Sequence, residues 1–186
     1  MHTYRKKVCL VGAPAVGKTS LILRYVKNAF NERYLRTLGT RVYSKTVTLP
    51  AADGEGPDTL ILSIWDIMGQ RGAREMLQQS YFFGAHGIMA VADLTRPETY
   101  QDLWEWIGAV RHVVGGVPVQ LAVNKVDLAP AQPKPAPDVR KFAEAVGCRA
   151  RFTSAKTGEN VETAFQMLCA ALLDEPPKWS RTIAAT

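Results

Sequence analysis

Short apolar runs alternate with amphipathic segments along most of the chain. The apolar runs resemble strands in length and composition, and they predict strands at 6–12, 40–49, 58–66, 87–94, 117–124 and 150–152. Apolar residues at helical spacing predict helices at 18–30, 98–113, 138–147 and 160–173. In the helix at 138–147, Asp138 is the predicted N-cap and Gly147 the predicted end.

The order of these elements predicts an α/β fold with a mostly parallel sheet, because strands that alternate with helices usually pair in parallel. The runs at 87–94 and 117–124 are almost wholly apolar, which is typical of strands covered on both faces. One antiparallel pair is also expected, since the turn residues of 50–57 separate two strand-like runs.

The overall composition is that of an ordinary globular protein. The chain has 186 residues, of which 47% are hydrophobic and 22% are charged. This length predicts one domain over 1–186 with a C-terminal tail at 174–186. The net charge of +6 fits an anionic ligand, an acidic partner or a membrane surface, and equally a basic soluble protein with none of these.

Several features favour a cytoplasmic location. No apolar run approaches the roughly 20 residues of a membrane span, and the N-terminus shows no secretory signal. Cys9, Cys148 and Cys169 lack metal-binding spacing and predict buried, reduced thiols. The sequence ends in RTIAAT without a prenylation motif, so membrane contact is expected only peripherally or through a partner. No feature indicates a nucleic-acid partner.

The stretch GAPAVGKTS at 12–20 fits the pattern of a phosphate-binding loop between a strand and a helix. Gly12 and Gly17 allow the backbone to turn tightly, so that its N–H groups and the helix N-terminus face an anion. Lys18 is expected to reach the β- and γ-phosphates, and the Thr19 hydroxyl is a candidate ligand of Mg²⁺. This motif predicts a nucleoside triphosphate without specifying the base.

Two further motifs favour guanine. NKVD at 124–127 follows a predicted strand, at the sheet edge where open α/β proteins bind ligands. Asp127 can accept hydrogen bonds from N1–H and the 2-amino group, a donor pair that only guanine offers on one edge. Asn124 is expected to hold the loop, and the Lys125 stem to lie over the base. SAKTG at 154–158 offers backbone N–H groups for the guanine O6.

With these motifs in order, the sequence resembles the small GTPases of the Ras superfamily, and within it the Rab branch, from about residue 6 to about residue 173. WDIMGQ at 65–70 and FTSAKTGENVETAF at 152–165 are similar to segments of that family. The resemblance implies a three-layer P-loop NTPase fold with a six-stranded sheet and one antiparallel edge pair. It also implies GTP and GDP as ligands, with Mg²⁺ as cofactor.

The resemblance assigns roles to individual residues. Lys18, Thr37 and Gln70 are the expected catalytic residues, with Gln70 orienting the attacking water. Thr37 is preferred to Thr40 as the threonine that holds Mg²⁺ and contacts the γ-phosphate. The expected metal site comprises Thr19, Thr37 and Asp66. The expected nucleotide contacts are Ala15, Val16, Gly17, Lys18, Thr19, Ser20, Phe30, Tyr34, Thr37, Gly69, Asn124, Lys125, Asp127, Ser154, Ala155 and Lys156.

The implied function is slow GTP hydrolysis and a molecular switch through two mobile loops at about 31–42 and 67–79. An effector, an exchange factor and an activating protein are the implied partners. An alternative is a GTP-binding interaction module with negligible hydrolysis. A P-loop kinase or ATPase would share the phosphate loop but would leave NKVD and SAKTG without a role.

The sequence departs from the family in several places. Pro14 replaces a residue that is glycine in Ras proteins; we expect it to stiffen the turn and to alter the response to activating proteins without abolishing hydrolysis. Ile67 and Met68 make the second loop more apolar at its start. The other departures are basic: Arg71 and Arg74 fit either an acidic partner or a solvated helix turn, and Arg33 and Arg36 flank the switch threonine.

Overall fold

A computed structural model describes residues 2–31, 37, 39–49, 57–69, 80–128 and 137–173 of the chain. Within these ranges the strands are β1 (Thr3–Val11), β2 (Thr40–Leu49), β3 (Asp58–Ile67), β4 (Gly87–Asp93), β5 (Val119–Asn124) and β6 (Arg149–Phe152). The helices are α1 (Lys18–Lys27), α2 (Glu98–Val114), α3 (Pro137–Val146) and α4 (Val161–Leu172).

The six strands form one sheet in the order β2-β3-β1-β4-β5-β6. Strands β3, β1, β4, β5 and β6 run parallel, and β2 pairs antiparallel with β3 at the edge. This arrangement confirms the predicted α/β fold with one antiparallel edge pair. It also brings the carboxyl ends of β1, β3, β4 and β5 to one edge of the sheet, where the predicted motifs lie.

Hydrophobic cores cover both faces of the sheet, so the fold has three layers. On one face α1 and α4 pack against the sheet through residues such as Ile22 and Phe165, and the Tyr25 and Phe165 rings stack 3.9 Å apart. On the other face α2 and α3 contribute Trp106 and Phe142. Strand β4 is buried along its whole length, as its apolar sequence predicts.

The structure corrects two details of the predicted helices. The helix predicted at 18–30 ends at Lys27, because Asn28 adopts a left-handed conformation (φ 50°) and its N–H closes onto the Arg24 carbonyl. The prediction of Asp138 as an N-cap is wrong, since α3 begins at Pro137 and Asp138 lies inside its first turn. Proline suits that first position because it has no N–H to leave unpaired. Gly147 follows the helix with a φ of 72°, as predicted.

The three cysteines are free thiols, with Cys9 and Cys169 buried and Cys148 partly buried. In the described ranges, no helix combines the length and the apolar character that a membrane span requires. The predicted tail at 174–186 and the turn residues 50–56 lie outside the described residues.

Candidate functional site

A cleft of about 560 Å³ opens at the edge of the sheet where the parallel strands end. The loops that follow β1 and β5 form its walls, together with the start of α1 and the loop after β6. Its lining residues are Pro14, Ala15, Gly17, Lys18, Thr19, Ser20, Leu23, Phe30, Asn31, Thr37, Arg41, Met68, Gly69, Asn124, Lys125, Asp127, Leu128, Ala155 and Lys156.

Two glycines allow the loop between β1 and α1 to fold tightly beneath this cleft. Gly12 has a φ of 142°, and a Cβ atom there would lie 2.2 Å from the Val91 carbonyl oxygen. Gly17 has a φ of 101°, and its Cβ would lie 2.2 Å from the Asn124 side-chain nitrogen. Both positions therefore require glycine for conformation and for space.

The Lys18 ammonium is buried and has only neutral oxygen partners in the described structure. It donates to the Gly12 and Ala13 carbonyl oxygens, each at 2.8 Å. Burial lowers the pKa of Lys18 to about 8, an effect that the Asp66 carboxylate partly opposes. A buried cation held only by carbonyl groups favours an anion beside it.

Three oxygen ligands meet next to Lys18. The Thr19 hydroxyl donates to Asp66 Oδ2 at 2.5 Å and lies 2.9 Å from the Thr37 hydroxyl. Because Thr19 has one proton to donate, Thr37 donates the other bond. Asp66 Oδ1 is buried and has no hydrogen-bond partner in the described structure, and burial raises the pKa of this carboxyl.

This arrangement fits a small divalent cation. Mg²⁺ prefers hard oxygen ligands, and an unpaired buried carboxylate oxygen beside two hydroxyls supplies them. The structure also distinguishes between two candidate threonines: the Thr37 hydroxyl reaches Thr19, whereas the Thr40 hydroxyl is buried at the start of β2 without a described partner.

Gly69, two residues after the end of β3, lies directly against the phosphate loop. A Cβ atom on Gly69 would lie 2.7 Å from both Lys18 Nζ and the Gly12 carbonyl oxygen, so only glycine fits there. Met68 lines the cleft, while Ile67 is buried in the core at 5% exposure. These are the two apolar residues at which the sequence departs from the family, and of them Met68 faces the cleft whereas Ile67 is buried in the core.

The opposite end of the cleft is held by a network of hydrogen bonds. Asn124 donates to the Val16 carbonyl at 3.0 Å and accepts from the Ala155 N–H at 3.1 Å and the Thr153 hydroxyl at 3.3 Å. The Ser154 hydroxyl donates to Asp127 Oδ1 at 2.5 Å. The Asn124 side chain thus joins the loops after β1, β5 and β6, and the described structure places no hydrogen-bond donor on the second oxygen of Asp127.

Lys125 and Phe30 flank the same end. Lys125 has a φ of 69°, and its ammonium lies 2.7 Å from Asp93 Oδ2. Burial acts to raise the pKa of Asp93, but hydrogen bonds from Lys125, Thr95 and Arg96 outweigh it and hold that pKa below its usual value. Phe30 lines the cleft and packs partly buried against the core.

Most of the predicted site residues meet in this cleft, but a few do not line it. Val16, Asp66 and Ser154 have exposures of 0%, and they contact cleft residues from behind. Tyr34 and Gln70, predicted to close over the phosphates and to orient water, lie outside the described residues. So do Arg33, Arg36, Arg71 and Arg74.

Comparison with known proteins agrees with this geometry. The sequence profile of the Ras family matches residues 7–174. The chain belongs to the Ras family.

Two curated members of the family show where the chain stands within it. It is 34% identical over 172 residues to Ras-related protein RABD2a of Arabidopsis thaliana, covering 92% of this chain and 81% of that protein. It is 32% identical over 174 residues to Ras-related protein Rab-21 of Bos taurus, covering 93% of this chain and 75% of that protein. The protein is therefore a small GTPase of the Ras family, related to Rab proteins.

Three arginines of this Ras-family site were missed by sequence reasoning. Arg24 on α1 donates to the Ala155 carbonyl at 2.9 Å and the Lys156 carbonyl at 2.6 Å. These two carbonyl groups are more than 130 residues away in the chain, so no local pattern indicates them. Arg96 bridges Asp93, three residues earlier in the chain, and the Pro14 carbonyl, 82 residues earlier, and only the second contact is long-range.

Arg41 lines the cleft beside the candidate metal site. It lies opposite Asp66 in the β2–β3 pairing, and its charge lowers the pKa of the Asp66 carboxyl against the larger effect of burial. The antiparallel pairing places these two residues on the same face of the sheet. The alternating side-chain pattern of the two strands was a signal that could have predicted this placement.

Proposed function

We propose that this protein binds GTP and GDP with Mg²⁺, hydrolyses GTP slowly and acts as a molecular switch. The observation that supports this most is the group of Lys18, Thr19, Thr37 and Asp66 at one end of the cleft. There a buried ammonium faces neutral carbonyls, and a buried carboxylate oxygen has no described partner. Both groups favour a ligand that carries phosphate and a metal ion.

The end of the cleft at Lys18, Thr19, Thr37 and Asp66, here called the phosphate end, is suited to positioning the ligand and to stabilising its charge. Thr19, Thr37 and Asp66 would hold Mg²⁺, which neutralises charge on the β- and γ-phosphates when bound. Lys18 and the backbone N–H groups of the phosphate loop and of the first turn of α1, up to Ser20, would stabilise charge that develops as the terminal P–O bond breaks. Gln70 would orient the attacking water, as its match to the family motif implies.

The opposite end of the cleft, which is formed by Asn124, Asp127 and the loop after β6 and is here called the base end, supports guanine specificity. Asp127 Oδ1 accepts from Ser154, and an ionised carboxylate has capacity for further donors. N1–H and the 2-amino group of guanine supply them. The Ala155 and Lys156 backbone lies at the same end, and Phe30 and the Lys125 stem offer apolar surface for the ring.

Switching would follow from the contacts to the γ-phosphate. Thr37 and Gly69 lie in the two segments at about 31–42 and 67–79, and both residues line the cleft. Losing the γ-phosphate would remove a ligand from each segment and change the surface that partners bind. An effector, an exchange factor and an activating protein are the partners proposed, with the chain acting in a reducing cytoplasmic compartment.

Binding and single-turnover hydrolysis test the proposal. Purified protein should bind fluorescent GDP in the presence of Mg²⁺, with displacement by GTP and not by ATP. Bound GTP should then be hydrolysed slowly by the wild type and much more slowly by Gln70→Leu. Binding without turnover beyond that of Gln70→Leu would support an interaction module instead, and failure to bind would refute both.

A further inference from the structure

The phosphate loop contains a strained turn at Pro14 and Ala15. Ala15 has a φ of 60°, a left-handed conformation that alanine disfavours and glycine adopts freely. In a four-residue β-turn, proline as the second residue followed by a third residue with a positive φ is the pattern of type II. The fixed φ of proline suits the second position of type I and type II turns equally, so Pro14 does not select between them.

Arg96 lies directly behind this turn. Its Nη2 donates to the Pro14 carbonyl at 2.9 Å, and its Nε lies 3.0 Å from Asp93 Oδ2. Asp93 is completely buried, and its other oxygen accepts from the Thr95 N–H and hydroxyl. Arg96 is therefore anchored at one side by a fixed carboxylate and holds a carbonyl of the phosphate loop at the other.

The orientation of one peptide follows from this contact. In a trans peptide the C=O and N–H bonds point in opposite directions, so the Ala15 N–H points away from Arg96. Pro14 and Ala15 line the cleft, and Arg96 does not. A type I turn would relieve the strain at Ala15, but it would rotate this peptide and break the bond from Arg96.

We propose that Arg96 is a positioning residue that holds the Pro14–Ala15 peptide with the Ala15 N–H directed at the nucleotide phosphates. It acts on the ligand through the backbone, not through its own charge. The inference rests on the proposed nucleotide-binding function. It gives Pro14 a specific place in the site: a residue without an N–H, whose carbonyl is the point of attachment.

A double-mutant cycle tests this proposal through release of fluorescent GDP from the full chain. Arg96→Ala should release GDP about tenfold faster than wild type, because a charge-assisted bond and the peptide orientation are lost. Ala15→Gly removes the cost of the left-handed turn. In the Ala15→Gly background, Arg96→Ala should therefore accelerate release by less than about threefold.

Arg140→Ala on the exposed face of α3 is the matched control and should leave release unchanged. An equal effect of Arg96→Ala in both backgrounds would mean that charge or general stability matters, and would overturn the proposal. So would an Arg96→Ala protein with wild-type release. If the wild type fails to bind fluorescent GDP at all, the proposed function itself is wrong, which is a distinct result.

Discussion

The two ends of the cleft are built on different principles. At the base end the polar groups bind one another: Asn124 joins three loops, and Ser154 holds Asp127. At the phosphate end the strongest charges are incompletely matched within the described ranges, since the partners of Lys18 there are carbonyl oxygens and Asp66 Oδ1 has none. The base end is thus part of the folded framework, whereas the phosphate end is arranged for a ligand at some expense of stability.

The largest expected effect separates binding from stability at the phosphate end. Lys18→Met should weaken GDP binding more than a hundredfold, since removing one partner of a buried charge pair costs about 3 kcal/mol. The nucleotide-free protein should be at least as stable as wild type, because a desolvated ammonium is removed. Fluorescent-nucleotide titration and urea unfolding measure the two quantities.

Lys27→Met, at the exposed end of α1, is the control for that experiment. It should change neither binding nor unfolding. A Lys18→Met protein that loses several kcal/mol of stability without nucleotide would show that the phosphate end also belongs to the framework, and the contrast between the two ends would fail.

At the base end, binding and stability should fall together. Asn124→Ala removes hydrogen bonds to Val16, Thr153 and Ala155, and it leaves buried backbone groups unpaired. We expect a loss of about 2–3 kcal/mol in the free energy of unfolding without nucleotide. Gln166→Ala, on the exposed side of α4, should change it by no more than about 0.5 kcal/mol. Unaltered stability of Asn124→Ala would contradict the idea of a preformed base end.

The pKa of Lys18 predicts a pH dependence of intermediate size. Because this pKa is lowered from 10.5 to about 8, nucleotide-free protein loses its Lys18 proton at a lower pH than the unfolded chain does. Its stability should therefore rise between these two values, while affinity for GDP should fall by up to about tenfold per pH unit above about 8. Lys18→Met should abolish the rise in stability and the fall in GDP affinity over this pH range. A wild-type affinity for GDP that stays constant up to pH 9.5 would argue against a lowered pKa of Lys18.

The smallest expected effect concerns Arg24, which supports the base end from α1. Its guanidinium is partly exposed, so losing its bonds to Ala155 and Lys156 should cost about 1 kcal/mol. Arg24→Ala should accelerate GDP release about fivefold, compared with no change for Arg140→Ala in stopped-flow measurements. Arg24→Ala should not accelerate the release of pyrophosphate, because pyrophosphate would occupy only the phosphate end of the cleft.

The sequence predicted those parts of the site that lie close together in the chain or at strand ends. The phosphate loop was recognisable because its glycines, Lys18 and Thr19 are adjacent between a strand and a helix. NKVD was recognisable because parallel strands end at the same edge of a sheet. The roles assigned to Gln70 and Tyr34 stay predictions, since both lie outside the described residues.

Supporting contacts were less predictable, because they depend on distances between loops. Arg24 reaches residues more than 130 positions later, and Arg96 reaches Pro14 across 82 positions. Local propensity misplaced the start of α3, where Pro137 takes the first helical position instead of Asp138 capping it. Propensity also favoured a longer α1, which the left-handed Asn28 ends.

One oxygen atom, Asp93 Oδ2, has a consequence for thermodynamic linkage. It binds Lys125 from the base end and Arg96 from the phosphate end, at 2.7 and 3.0 Å. If a bound purine drew Lys125 toward its ring, the share of that oxygen's charge left for Arg96 would increase, and the reverse would also hold. Guanosine and pyrophosphate would then bind with a reciprocal cooperative free energy, and GDP would bind more tightly than its two halves bound independently.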